Sequence, residues 1–273
     1  MDALGRAALR IETLSTRIWT QGHPVMRRRY GLRLVFRAGV ACFTAERGLF
    51  GDALTYGHKA IGFGTTVPAT QALLDAVRGV YDARGGPCRI HVVEGLTSPE
   101  AIRLLRRNGF RREEFAMDWH VRITQRVPRL PDIAGVHVHR VARDEATLFS
   151  TTARDAFGDT GRVREYFHRT LVALLRDHPR WVSGFLASAG GRPAGTGGLM
   201  VSAGAAGLFS GAVLSRHRGH GLQKALIAAR ILYGMGRGVR VFFSQTHENP
   251  VSAANLAELG FRRRWRIVHW SAE

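Results

Sequence analysis

Gly211-Ala-Val-Leu-Ser-Arg-His-Arg-Gly-His-Gly-Leu-Gln-Lys-Ala-Leu226 is the stretch whose reading decides the fold. Its left end continues an apolar segment, Ala206 to Leu214. Its right end opens a helical pattern in which Leu222, Ala225, Leu226, Ala229 and Leu232 fall on one face. Between them the chain turns through Ser215 to Gly221. A strand that passes through such a turn into a helix makes an anion site, because the first helical amides have no acceptor within the helix and their dipoles leave that end partly positive. Gly219 and Gly221 place no side chain before those amides and can take positive φ, while Arg216 and Arg218 add formal charge. A plain tight turn would use the same glycines, so the loop alone names no ligand. It does exclude two phosphate motifs. The Gly-Lys-Ser/Thr ending of a P-loop is absent, and the third glycine of a dinucleotide fingerprint would fall on Lys224.

Outward from this loop, Ala194–Ser202 and Ala206–Leu214 read as a hairpin joined near Ser202 to Gly204. After the helix, Gly234, Gly236 and Gly238 are expected to end it, and a strand follows over Val239–Gln245. The next helix has Asn249 as N-cap, Pro250 at its first position and Gly260 past its end, before a strand around Arg266 to Trp270. The N-terminal half repeats the plan: a helix from about Pro68 to Arg84, a strand Cys88–Val93, a helix from Ser98-Pro99-Glu100 to Gly109, and a strand Phe115–Ile123. Asn108-Gly109-Phe110-Arg111-Arg112 matches Leu259-Gly260-Phe261-Arg262-Arg263. The shared order and ending imply two related α/β units. Pro128 and Pro131 mark a linker over Val127 to Gly135, ahead of a strand Val136–Val141, so domains of 1–132 and 133–273 are expected.

Arg218-Gly-His-Gly221-Leu-Gln223 resembles the Arg/Gln-x-x-Gly-x-Gly/Ala motif of the GNAT acetyltransferases. Asn249-Pro-Val-Ser252-Ala-Ala-Asn-Leu256-Ala-Glu-Leu-Gly260-Phe261 is similar to that family's second motif, Asn-x-x-Ala-x-x-Leu-Tyr-x-x-x-Gly-Phe. The likeness covers Ala194 to Trp270 well, and Val136 to Pro193 has the strand–helix–helix–strand order the family shows. The resemblance implies an α/β (α+β mixed-sheet) fold of two tandem GNAT-like units with a mostly antiparallel twisted sheet flanked by helices. It implies acetyl-CoA or another acyl-CoA as co-substrate, with the pyrophosphate on the amides of Gly219, His220, Gly221, Leu222 and Gln223 beside Arg218. Val213, Leu214 and Ser215 would run along the pantetheine arm, and Asn249 and Ser252 would complete the cofactor contacts.

The match has departures. Gln223 replaces the last Gly or Ala. Leu256 stands where many members carry the Tyr that protonates the departing thiolate; a thiol of pKa ~8.5 is a fair leaving group without one. The N-terminal counterpart of the loop, Gly62-Phe-Gly64-Thr-Thr-Val-Pro68, lacks the Arg-x-x-Gly-x-Gly pattern, and Pro68 removes an amide. That unit is expected not to bind CoA and to complete the core or wall the acceptor pocket.

Acyl transfer also needs a polarised carbonyl, assigned by analogy to a backbone amide near Val213 and Leu214, and a neutral amine. The base is expected at the end of the strand Val239–Gln245, from Glu248 or His247, although Glu248 also reads as a first-turn acid beside the Asn249 cap. Asp155 and Tyr166 lie in Arg154 to Phe167, where the family places its acceptor-binding helices, and are expected to contact a cationic acceptor. That acceptor is expected to be a small-molecule amine, with a protein amine as the other possibility.

The net charge of +19 comes almost wholly from Arg, since Lys59 and Lys224 are the only lysines. It suits an anionic partner such as CoA. The Arg residues are dispersed, as a GC-rich genome would produce them, and nucleic acid is not the expected ligand. Cys42 and Cys88 form neither a disulfide framework nor a metal cluster, which points to a reducing cytoplasm and no metal. No apolar run reaches the roughly 18 residues that cross a bilayer. The competing readings are an acyl-CoA sensor without catalysis, other acyl-CoA chemistry on the same fold, and a basic nucleic-acid-binding module.

Overall fold

The computed structural model describes residues 1–45, 58–124, 126–129, 131–158, 161–247 and 249–272. The chain divides into two compact units, Met1–Trp119 with Trp265–Glu273, and His120–Arg264. The boundary expected near residue 133 falls inside the second unit, and the C-terminal strand goes with the first.

The first unit opens with two helices that the sequence pattern did not announce, α1 (Ala3–Gln21) and α2 (Pro24–Arg29). Asp2 caps α1 by accepting the Gly5 N–H at 2.7 Å. Next come β1 (Arg33–Arg37), β2 (Val40–Thr44), β3 (Lys59–Ile61), α3 (Gln71–Asp82), β4 (Cys88–Val93), α4 (Pro99–Arg107) and β5 (Arg111–Ile123), whose residues from His120 on belong to the second unit. The last strand of the chain, β11 (Arg262–Ala272), returns to lie between β4 and β5, so the order is β1-β2-β3-β4-β11-β5. β3 and β4 are parallel; β1–β2, β2–β3 and β4–β11 are antiparallel. Alternation along the strands sends Cys42, Ala60, Ile90, Val268 and Trp270 to one face, where Leu74, Val77 and Tyr81 of α3 and Leu105 of α4 close the core. Cys42 and Cys88 are free, and burial pushes both thiols up to about 12.

The second unit carries β6 (Val136–Arg140), α5 (Ala146–Phe157), α6 (Gly161–Asp177), β7 (Val182–Ala189), β8 (Arg192–Ser202), β9 (Ala205–Val213), α7 (Leu222–Gly236), β10 (Val241–His247) and α8 (Pro250–Glu258). The strand order is β10-β9-β8-β7-β6, antiparallel except for β9–β10. Leu222, Leu226, Ile227 and Ile231 of α7 pack on Ala194 and Leu199 of β8, Leu208 of β9 and Phe242 of β10. Gly234 lies inside α7 rather than ending it, because the helix must approach β10 there: a Cβ at this position would stand 2.6 Å from the Phe242 ring. The strand expected to begin at Val239 begins at Val241.

The internal repeat is physical. Each unit has one parallel pair, β3–β4 or β9–β10, joined through a helix, followed by a short helix with Pro at its start and Ser98 or Asn249 as side-chain cap. Both short helices end alike. Gly109 (φ 80) and Gly260 (φ 82) take the left-handed position, and the next N–H returns to the last turn, Phe110 to Leu105 O and Phe261 to Leu256 O, each at 3.0 Å. This closing motif folds the Phe back onto the Leu, and all four side chains are buried. Leu256 is thus the counterpart of Leu105, a core residue.

Candidate functional site

The parallel ladder of β9 and β10 is short. It pairs Ala205 to Leu208 with Val241 to Ser244; beyond these residues the strands run on to Val213 and His247 without pairing to each other among the described residues. β9 stays joined to β8 through a bulge. The register shifts between Thr196 and Gly198, Ser210 adopts φ 46, and the Thr196 hydroxyl donates to the Ser210 carbonyl at 3.1 Å. Ser210 to Val213 therefore has one edge in the ladder with β8 and the other unpaired with β10 among the described residues, a place where an extended ligand with amide groups can add as a strand does.

The open edge leads into the loop. Leu214 N–H donates to Ala194 O, and a 3-10 turn over Ser215–His217 carries the chain round. From Gly219 to Lys224, no backbone N–H has an acceptor among the described residues; the first helical bond is Ala225 N–H to Gly221 O. Gly219 (φ 81) and Gly221 (φ 76) are left-handed, and Gly221 is an N-cap with no side chain to accept those protons. Alternating handedness of this kind turns successive amides toward one point, a concavity for an anion. Arg218 donates through Nε to Val213 O at 3.1 Å and through Nη2 to Ala156 O at 3.3 Å, so its charge is held at the loop by the end of β9 and the end of α5. Lys224 is taken by Glu258 at 2.9 Å.

The N-terminal counterpart is built the opposite way. Gly62 and Gly64 are again left-handed, but the N–H groups of Thr65, Thr66 and Val67 all turn onto Gly62 O, at 3.1, 3.0 and 3.4 Å. Gly64 O accepts from Ser98, and the Thr70 hydroxyl caps α3 through Leu73 N–H. The amides that would hold an anion are spent inside the loop. Gly64 also lies so tightly against α4 that a Cβ there would overlap that of Ala101. Gly64→Ala is therefore expected to cost about 2 kcal/mol or more, from the overlap and the positive φ together. Urea unfolding reads it, and a variant as stable as the parent contradicts this account.

The other residues singled out in the sequence scatter. Asn249 Oδ1 is occupied by the Ser252 N–H at 3.0 Å, so both serve the α8 cap, exposed and half-buried respectively. His247 ends β10, exposed; Glu248 lies outside the described residues. Asp155 is exposed and paired with Arg154 at 2.9 Å. Tyr166 is 2% exposed, and burial raises its phenol well above the usual range, as for a core side chain. Leu256 belongs to the core rather than to the open edge. Sequence reading passed over His120, a buried imidazole whose Nε2 lies 2.8 Å from the Thr246 hydroxyl, just past the end of the β9–β10 ladder. A histidine inside an otherwise regular strand carries no motif, so nothing flagged it.

Residues 144–261 match the model of the acetyltransferase (GNAT) family. A GCN5-related N-acetyltransferase from Kribbella flavida is similar in structure over 99% of this chain and 96% of its own, at TM-score 0.66 and 17% identity. A tandem GNAT protein from the clavulanic acid biosynthesis pathway is similar over 99% and 94%, at TM-score 0.66 and 18% identity. A GCN5-related N-acetyltransferase from Sphaerobacter thermophilus covers 74% of the chain and 67% of its own, at TM-score 0.58 and 17% identity. No curated protein matches the chain.

Proposed function

With a domain of the acetyltransferase (GNAT) family at residues 144–261, we propose that this chain transfers the acyl group of an acyl-CoA, acetyl-CoA being the simplest, to an amine. The observation that carries the reading is the run of unpartnered amides from Gly219 to Lys224 at the end of the open edge of β9. A pyrophosphate takes the amides, with the Arg218 charge beside it. The pantetheine arm lies along Ser210 to Val213, which puts the thioester next to the bulge at Ser210. A free N–H on that edge polarises its carbonyl.

Proton removal from the amine falls to the end of β10. His247 and Glu248 stand there in sequence, and the buried pair of His120 and Thr246 lies just past the end of the β9–β10 ladder. The buried position of Leu256 leaves the thiolate to depart without a tyrosine. The self-satisfied loop of the first unit supports the reading that this unit holds no CoA of its own. The acceptor is a small-molecule amine, with a protein amine as the other class.

Two measurements test this in order. Acetyl-CoA at saturating concentration is expected to raise the melting temperature by mass action. Thiol release from acetyl-CoA over a panel of amines then reads catalysis; binding without release from any amine favours a sensor over an enzyme. His120→Gln is expected to lower kcat about tenfold or more with little change in acetyl-CoA affinity. An unchanged pH–rate profile would remove His120 from the reaction.

A further inference from the structure

Arg230 is a cation that the fold buries without an anion among the described residues. It sits on the sheet-facing side of α7, 2% exposed. Its Nε donates to Leu226 O at 2.9 Å, and Nη1 reaches Gly198 O and Phe209 O at 3.3 and 3.4 Å, carbonyls of the bulged part of β8 and β9. No carboxylate pairs with it among the described residues, and desolvation alone lowers its pKa to about 9. A buried charge left without a counter-ion is costly, and three backbone dipoles do not cancel it. Nη2 donates to nothing among the described residues.

The unpartnered end is aimed at a definite place. A Cβ on Gly211 would stand 3.4 Å from Arg230 Nη2, 3.6 Å from Nη1 and 3.6 Å from Gln223 Nε2. Neither Gln223 nor Arg230 Nη2 has a hydrogen-bond acceptor there, and Gly211 is one residue past the Ser210 bulge, on the open edge of β9. N–H donors from two turns of one helix thus converge where a glycine leaves room.

We propose that Arg230 and Gln223 form a subsite for a carboxylate carried by the acyl group of the donor, so that the preferred donors are CoA monothioesters of dicarboxylic acids. This rests on the reading that CoA lies along β9 and the Gly219–Lys224 amides. A carboxylate supplies the full negative charge that the buried guanidinium lacks, and it accepts from both donors at once. An unsubstituted acetyl group offers it nothing.

The test uses the full chain and compares dissociation constants for succinyl-CoA and butyryl-CoA, which have equal chain lengths, by calorimetric titration, with free CoA as reference. Succinyl-CoA is expected to bind about tenfold or more tighter than butyryl-CoA. In Arg230→Met the ratio is expected to fall to about one. Arg230 also holds β-bulge carbonyls, so a loss of folding in that variant is told apart from a loss of the subsite by Gly211→Ala, the second probe. Its Cβ makes only ordinary contacts, yet it fills the space the carboxylate needs, and the ratio is again expected to collapse. Equal binding of the two thioesters by the parent protein overturns the proposal, as does a succinyl preference that survives in Gly211→Ala. If free CoA itself fails to bind, the underlying placement of the cofactor falls, and the subsite with it.

Discussion

Gly219→Asp is expected to weaken acetyl-CoA binding about 100-fold or more, roughly the 3 kcal/mol that like charge in contact costs, while the protein melts within a few degrees of the parent. The site is exposed and nothing lies within 4 Å of the Cβ the substitution adds, so packing is undisturbed. Asp tolerates the left-handed φ of 81 better than most residues. What changes is that a carboxylate stands in front of amides that have no other acceptor. It can accept those N–H groups itself, occupying the anion site from within. Gly219→Ala separates the two causes, since it carries the backbone strain without the charge and is expected to keep most of the affinity. Equal losses in both variants would mean that loop conformation, not charge, governs binding.

The second large effect is acid lability of the first unit. His91 on β4 and His269 on β11 face each other across the ladder with ring centroids 5.7 Å apart, both nearly sealed from solvent. Neither ring nitrogen of His91 has a hydrogen bond among the described residues. Burial, chiefly, lowers His91 to about 4 and His269 to about 2. Lys59 pushes both down and Glu12, which Lys59 holds at 2.6 Å, pushes them up; Arg89 adds to the depression of His269. Both folded values lie below the ordinary 6.5, so it is the unfolded chain that takes up protons first. Stability is therefore full above about pH 6.5 and is lost as the pH falls, with His91 alone removing about 3 kcal/mol by the time its folded value is reached. Urea unfolding at pH 7 and pH 4.5 reads the loss. His91→Leu is expected to be as stable as the parent at pH 7, because no hydrogen bond is given up, and to lose much less on acidification. An equal loss in parent and variant would place the acid-sensitive group elsewhere.

How much of this was legible in the sequence depends on how local the cause is. The loop from Ser215 to Gly221, the caps Ser98 and Asn249 and the Gly-Phe endings are each set by neighbouring residues, and all were readable from spacing. The repeat followed from their order. Elements fixed by distant contacts were not. α1 has no motif and exists because its buried face packs on the sheet; β1 to β3 are short strands held by their neighbours in the ladder. β11 follows the second unit in sequence but joins the first, a matter of strand order that no local pattern records. Gly234 looked like a helix stop because the close Phe242 ring that requires it lies on another strand.

Within the site the same division holds. The left-handed glycines and unpartnered amides of the Gly219–Lys224 loop were readable because they need only glycines and a helix start. Side chains fared differently. Tyr166 and Asp155, reasonable acceptor contacts by position, are respectively buried in the core and paired to a neighbour. Leu256, which the motif resemblance set where a tyrosine is expected, has Phe261 as its partner, through the same closing motif that joins Leu105 to Phe110. Arg230 sat unremarked within an apolar helix face, and only the bulge of β9 shows what its guanidinium meets.

The most direct test of the central claim is calorimetric titration of the full chain with acetyl-CoA. One molecule per chain is expected, with binding lost in Gly219→Asp. Two molecules per chain, or binding that survives that substitution unchanged, would contradict the assignment of a single acyl-CoA site to the Gly219–Lys224 amides.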